Sequence, residues 1–499
     1  MQRREFLRVC GIGAAGLVGC GGSTGGGPDA PPASTGDFAV PPLLDGELVD
    51  GTRVFRLRLQ AGSVEWVPGS PTPTYGANGD VLGPTLHFRR GERVRMEVTN
   101  ELGVTTTLHW HGMQVPARAD GGPYQTIAPG ATWNAEYDVV GRAMTAWYHP
   151  HQMHETARHV HMGLAGMIIV DDPARSFELP STYGDDDLPI IVQDRRLFAD
   201  GTHPYSAGKT PGMHDMMAGL RGDTMLVNGR ITPRAVVPRG LVRLRVLNGS
   251  NARIYNLGFS DNRSFLHVAS DGGLLDAPVS TNRVLVAPGE RVELLVDFSA
   301  DAQGAAVELA SYSGEVFGAL FTGMMGANLG DALDRTTFRV MVFEVGAATS
   351  AIAAPTAFEP IVRELEADAA RTRTIAMTMQ AGSVFINGAQ MTSLVNVPAA
   401  INFQIKAGEA EVWQVTNTSG MAHPLHVHNR HFQILDIDGQ PPPRELAGWK
   451  DTVIIRPGRV VRLLLRFEGT PDLEMPYLFH CHILEHEDMG MMGQFFLVP

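Results

Sequence analysis

Near the C-terminus the chain reads HCHILEHEDMGMM, His480 to Met492, and most of its polar side chains are potential metal ligands. The sequence has 18 histidines, and many fall in four tight clusters. They are His109-Trp110-His111, His149-Pro150-His151, the run His423-Pro424-Leu425-His426-Val427-His428, and the group His480, Cys481, His482 and His486. On an extended strand, His-x-His puts both imidazoles on one face, roughly 6–7 Å apart. Such a pair can serve one metal ion or two neighbouring ions. One pair alone is weak evidence, since surface and structural pairs are common, but four in one chain are hard to ascribe to chance.

Imidazole is a ligand for copper, zinc and iron. A zinc site would expect separate tetrahedral sets, usually with paired cysteines, and the sequence has none. Its three cysteines are Cys10, Cys20 and Cys481. His423, Cys481, His486 and a downstream methionine make a His2Cys set with a weak axial thioether, the ligand set of a blue-copper electron-transfer site. The competing reading pairs the thiol with a base for nucleophilic attack, and it leaves the other clusters unexplained.

Strands must position these residues. Short runs with period-two alternation recur: ERVRMEVTN (92–100), GLVRLRVLN (240–248) and EVWQVTN (411–417). Each ends in Asn and is followed by a Pro-Gly turn, at Pro129, Pro288 and Pro457, and then by another strand. The turns are about one domain length apart. The expected fold is all-β, with three consecutive Greek-key β-sandwich domains over 38–175, 176–346 and 347–499. The histidine clusters fall in the first and third. A net charge of −13 makes nucleic acid an unsuitable partner.

Residues 1–20 read as an export signal outside the fold. Arg3-Arg4 with Phe6-Leu7 resembles a twin-arginine motif, and Leu17-Val18-Gly19-Cys20 resembles a lipobox. Residues 21–37 read as a flexible linker. The expected location is the periplasm or cell envelope, with contact to the membrane only through a lipid at Cys20. Processing would leave Cys481 as the one thiol of the mature chain. No later segment reads as transmembrane.

HWHG, YHPH, HPLHVH and HCHILEHEDMGMM together resemble the four copper motifs of the multicopper oxidases. GDTMLVNG, RVLNGSNAR, ASDGGLL and AGWKDTV are similar to the bacterial laccase and copper-efflux branch of that family. The resemblance covers the whole mature chain and implies three cupredoxin domains, four copper ions and a monomer. By position it implies a type 1 copper on His423, Cys481, His486 and axial Met491. It implies a type 2 copper on His109 and His426. It implies a type 3 pair on His111, His149, His151, His428, His480 and His482. Oxidation of a small reductant at the type 1 copper would then feed four-electron reduction of O2 to water. Asp120 and Glu487 match family carboxylates that assist proton delivery.

The reductant is read as a phenol or aromatic amine, with Cu(I) as the alternative and a non-catalytic role as a third. From Thr374 the chain runs straight on through AMTMQAGSVFINGAQM, with no methionine-rich insert to cover the type 1 site, so that site is expected to be more open. Met421 matches a methionine of the family's cuprous site, but Ser419 stands where an acid is expected. Met213, Met216, Met217, Met324 and Met325 read mainly as packing residues. His154, His159 and His161 read as polar or solvent-facing residues rather than a copper relay.

Overall fold

The structure is a computed structural model that describes residues 36–175, 177–349 and 351–499. The segment expected to be an export signal, with Cys10 and Cys20, and nearly all of the expected linker lie outside the described residues. No described helix is long and apolar enough to cross a membrane.

The strands form six sheets, which stack as three sandwiches in chain order. In the first, the long strand Thr52–Val67 buries Val54, Phe55, Leu57 and Leu59 and pairs in parallel with Arg93–Glu101. Facing it is a sheet with Leu43–Leu44, Thr85–Arg89, Gly166–Asp171, Met144–His149 and His109–His111. The middle sandwich sets a seven-stranded sheet against a five-stranded one. Its last strand, Thr337–Thr349, pairs with Arg234–Arg239 and Ala306–Tyr312, so the middle sheet continues past the boundary expected after residue 346. The third sandwich is two five-stranded sheets, and its core joins Trp413, Phe403, Phe479 and Phe495.

The repeated asparagines have a physical cause. Asn100 Nδ2 donates to the carbonyls of Val104 and Ile127, Asn248 Nδ2 to Arg253 and Val286, and Asn417 Nδ2 to Met421 and Ile455. Each amide ties its strand end to two backbone carbonyls of the following segments. Each asparagine carbonyl also accepts the N–H of its Pro-Gly glycine: Gly130, Gly289 and Gly458. Those glycines have φ of 78°, 81° and 70°, the left-handed region that glycine enters at least cost.

Candidate metal centre

Strand register brings the histidine clusters together. His109–His111 pairs antiparallel with Met144–His149, placing His109 opposite His149. In the third sandwich His423–Val427 pairs with Tyr477–Cys481, placing His426 opposite His480 and Leu425 opposite Cys481. The short helix Leu484–Asp488 then returns His486 to the thiol.

Cys481, His423 and His486 are fully buried. Cys481 Sγ lies 3.4 Å from His423 Nδ1 and 3.7 Å from His486 Nδ1. The outward nitrogens are held elsewhere: His423 Nε2 is 2.8 Å from Ser419 Oγ, and His486 Nε2–H donates to the Met217 carbonyl at 2.9 Å. Both rings are thereby fixed with Nδ1 facing the sulfur, as ligand-orienting contacts do. The backbone of Met491 is tied to both neighbours: its carbonyl accepts from Cys481 N and its N–H donates to the His486 carbonyl. Met492 instead pairs in the strand register opposite His480. Burial pushes the Cys481 thiol up and the His486 imidazole down to about 4. The histidines are therefore neutral, as ligation requires, and the thiol needs a cation to ionise.

The eight other cluster histidines, His109, His111, His149, His151, His426, His428, His480 and His482, converge in one buried volume. Most of their second nitrogens are tied down. His109 Nδ1–H donates to the Asp120 carbonyl, His149 Nδ1–H to Pro150, His426 Nδ1–H to Asp451 and His480 Nδ1–H to Cys481. His428 Nδ1–H donates to the Asp120 carboxylate at 2.7 Å. His111 is turned the other way: its Nε2–H donates to Asp451 Oδ1 at 3.0 Å, leaving Nδ1 inward.

What remains inward has no partner among the described residues. His109, His149 and His426 Nε2, His111 Nδ1 and both nitrogens of His482 make no hydrogen bond there. His151, His428 and His480 place their Nε2 atoms 3.2 Å from one another. With the Nδ1–H groups of His428 and His480 already committed, bare lone pairs face each other, an arrangement that repels unless a cation lies among them. Burial and the neighbouring imidazoles push His109, His149, His428 and His480 below their ordinary range, so these four present neutral ligand nitrogens. The donor set fits copper, which takes imidazole and thiolate together.

Two sequence profiles described as multicopper oxidase match residues 59–175 and 366–499. The multicopper oxidase mco of Staphylococcus aureus is 34% identical over 463 residues, 92% of each chain. The chain belongs to the multicopper oxidase family. It is an oxidoreductase that uses O2 and copper. The cell division protein FtsP of Escherichia coli K12 is 34% identical over 100% of this chain and 99% of that protein. Among solved structures, a laccase-like multicopper oxidase from Ochrobactrum sp. superimposes with a TM-score of 0.79, at 35% identity, covering 92% of this chain and 100% of that one. A laccase from Pediococcus acidilactici gives 0.82 at 31% identity, covering 94% and 95%.

In this multicopper oxidase two carboxylates adjoin the histidines from opposite elements. Asp120 follows the 3-10 turn Ala117–Ala119 and touches His428, with its Oδ1 making no hydrogen bond among the described residues. Glu487 lies on the helix Leu484–Asp488, its oxygens 3.2 Å from His151 Nδ1 and His480 Nδ1. Burial pushes Asp120 up to about 8 and Glu487 well above the carboxylate range.

Sequence reasoning missed a third carboxylate, Asp451. Arg291 grips it with two bonds, 2.8 and 2.5 Å, while donating to the Thr145 carbonyl at 3.0 Å. One guanidinium thus joins all three sandwiches behind His111. Asp271, Lys450 and Glu290 extend the buried network, with Lys450 2.9 Å from Asp271 and 3.1 Å from Glu290. Burial alone would raise the Asp451 carboxyl; Arg291 and His111 hold it well below its usual range. The signal was present in AGWKDTV and APGERVELLV, as charged residues at the starts of otherwise apolar strands. Two motif glycines make room here: a Cβ on Gly112 would lie 2.6 Å from Arg291, and one on Gly289 2.8 Å from His482.

Two expectations are corrected. The Cys481 site is not left open. Although strand Ala369–Gln380 turns directly into Ser383–Ile386, the middle sandwich supplies the cover, with Met217 on His486, Thr322 N–H on the Gly420 carbonyl, and Phe321 bridged to Met421. His159 and His161 are buried rather than solvent-facing, and only His154 is exposed. His159 meets Thr106, His161 packs on His203 and Tyr205, and His154 donates to a backbone carbonyl, so the three share no ligand position.

Proposed function

We propose that the protein is a laccase-like oxidase that takes single electrons from phenols or aromatic amines at the Cys481 site. Four copper ions fit the donor sets: one on His423, Cys481, His486 and Met491; one on His109 and His426; and a pair on His111, His149, His151, His428, His480 and His482. Bound copper supplies one-electron transfer at the first site and reduction of dioxygen to water at the second. The chain itself supplies the connection. Cys481 is peptide-bonded to His480 and His482, so three consecutive residues span both sites. Asp120 and Glu487 hold protons beside His428 and beside His151 and His480. Residues 1–20 support export to the envelope by the twin-arginine route, with Cys20 as a lipid anchor.

One observation carries the choice of substrate. The outward nitrogen of His423 meets the neutral hydroxyl of Ser419, and Met421 is buried at 1% exposure. An organic donor needs only electronic contact with a histidine edge, whereas a cuprous ion leaving as Cu(II) is favoured by a harder, anionic ligand. The Ochrobactrum neighbour is described as oxidising lignin model compounds and lignosulfonate. A second reading, oxidation of Cu(I), draws on Met213, Met324 and Met325, which are 79%, 84% and 80% exposed. Met213 begins the short helix that carries Met217, and soft thioethers hold Cu(I). The FtsP relatives raise a third, non-catalytic role, which the complete donor set disfavours.

The test is oxygen uptake by the copper-loaded protein, with a phenolic donor and with Cu(I). Faster uptake with the phenol, unaffected in Met324→Leu/Met325→Leu, supports the laccase reading. Faster uptake with Cu(I), reduced by those changes, replaces it with the second. A copper-loaded protein with no band near roughly 600 nm and no uptake refutes both.

A further inference from the structure

A cleft of about 810 Å³ opens where the three sandwiches meet, lined by residues that the copper sites do not use. This volume suits a small organic molecule. The floor is unusual in its polar groups. His431 is 4% exposed, lines the cleft and has no hydrogen-bond partner on either ring nitrogen among the described residues. Trp449, 7% exposed, likewise has a buried Nε1–H without a partner there. Arg142 lies over the Trp449 ring at 4.2 Å and makes no ion pair with a described residue. Arg430 is 7% exposed, and its guanidinium donates to the Glu468 carbonyl, a neutral acceptor.

Charge bookkeeping points the same way. Of the cleft's arginines, Arg90 is neutralised by Asp172 and Arg466 by Glu364. Asp138 is held by Arg93 from outside the cleft. That leaves Arg142, Arg175 and Arg430 against Glu359 and Glu468. Burial lowers the pKa of Arg142 and of Arg430, the direction expected of cations desolvated without full compensation.

We propose that this cleft is a binding site for an aromatic carboxylate. The floor offers the Trp449 Nε1–H, one N–H of His431 and the guanidinium groups of Arg142 and Arg430, and a carboxylate is an acceptor-only partner that guanidinium binds well. The aromatic ring is matched by Trp449 and Phe177 and by the aliphatic wall of Leu274 and Ile361. The site is separate from the type 1 histidines. It adjoins the eight-histidine site through the backbone that follows His428 and through His431 Nε2, which is 3.7 Å from Asp451 Oδ2.

The test uses benzoate, which presents ring and carboxylate without an oxidisable phenol. Titration calorimetry on the copper-loaded protein should show one benzoate per chain, with a change in tryptophan fluorescence that Trp449→Phe removes. Benzamide, of the same shape without the charge, should bind at least tenfold more weakly. Arg142→Gln and His431→Phe should each weaken benzoate at least tenfold. The band near roughly 600 nm verifies that each variant is folded and loaded, and Arg142→Gln alters a half-buried side chain should His431→Phe misfold. Equal binding of benzamide and benzoate would overturn the proposal. So would undiminished binding in folded Arg142→Gln, or a benzoate response confined to the copper absorption, which would place the carboxylate on the metal. Phenyl phosphate binding tenfold more tightly than benzoate would overturn the carboxylate assignment.

Discussion

The two metal-binding regions are built in opposite ways. The thiolate site takes His423, Cys481 and His486 from one sandwich, over two neighbouring strands and the helix that follows. The eight-histidine site is shared, with four residues from the first sandwich and four from the third. Its two halves are held together largely by contacts outside the donor set. Arg291 from the middle sandwich grips Asp451 and Thr145, and the Asp488 carboxylate accepts the N–H groups of Thr156 and Ala157 across to the helix Thr156–His161. The first site takes all its donors from one sandwich and only the hold on His486 Nε2 from the middle one, whereas the second has no complete donor set until two sandwiches dock. The thiolate site should therefore survive perturbations that dismantle the histidine site, and the reverse should hold only for changes at the thiol.

Cys481→Ser should give the largest effect and the cleanest separation. Serine is a poor copper ligand in this setting, so the band near roughly 600 nm and essentially all donor oxidation should vanish. Copper analysis should still find the metal of the histidine site. Loss of all copper would show that the two sites form as a unit.

Asp451→Ala attacks the other side. It leaves Arg291 fully buried without its main partner, and breaking a buried pair this way costs about 3–5 kcal/mol. It also loosens His111, whose Nε2–H loses its carboxylate acceptor and keeps only the 3.2 Å contact to Thr452 Oγ. Copper should be depleted from the histidine site while the blue band is retained, read by metal content against absorbance. Equal loss of both would sink the distinction between a local and a docked site.

This contrast also explains what could be read in advance. The donors were legible because their chemistry demands particular residue types at strand spacing, and the strands because Asn100, Asn248 and Asn417 mark the same turn three times. Asp451 and Arg291 were not. The two lie 160 residues apart in sequence, and no local pattern states that two strands from different sandwiches will meet. The cover over His486 was missed for the same reason. Its source is Met217 in the middle sandwich, whereas the local sequence reveals only that the third sandwich lacks an insert.

Asp488→Ala tests docking more gently. Its carboxylate caps a helix that it does not belong to, and removing such a cap costs about 1–2 kcal/mol. The melting temperature should fall by a few degrees (for a drop of that size). The histidine site should lose copper to a chelator faster than the thiolate site does. Equal rates would mean that the helix Thr156–His161 is held by packing alone.

The smallest change should sharpen the substrate question. In Ser419→Asp, a carboxylate replaces the hydroxyl 2.8 Å from His423 Nε2, while all three thiolate-site ligands stay in place. An added negative charge beside the outward edge attracts a cuprous ion and does little for a neutral phenol. The ratio of Cu(I) to phenol turnover should rise several-fold, and most at low ionic strength, where a charge at this distance is least screened. The retained blue band serves as the check that the ligands have not moved. If the ratio stays unchanged at every salt concentration, electrons do not enter by the His423 edge, and the exposed Met213, on the helix whose Met217 meets His486, becomes the place to look.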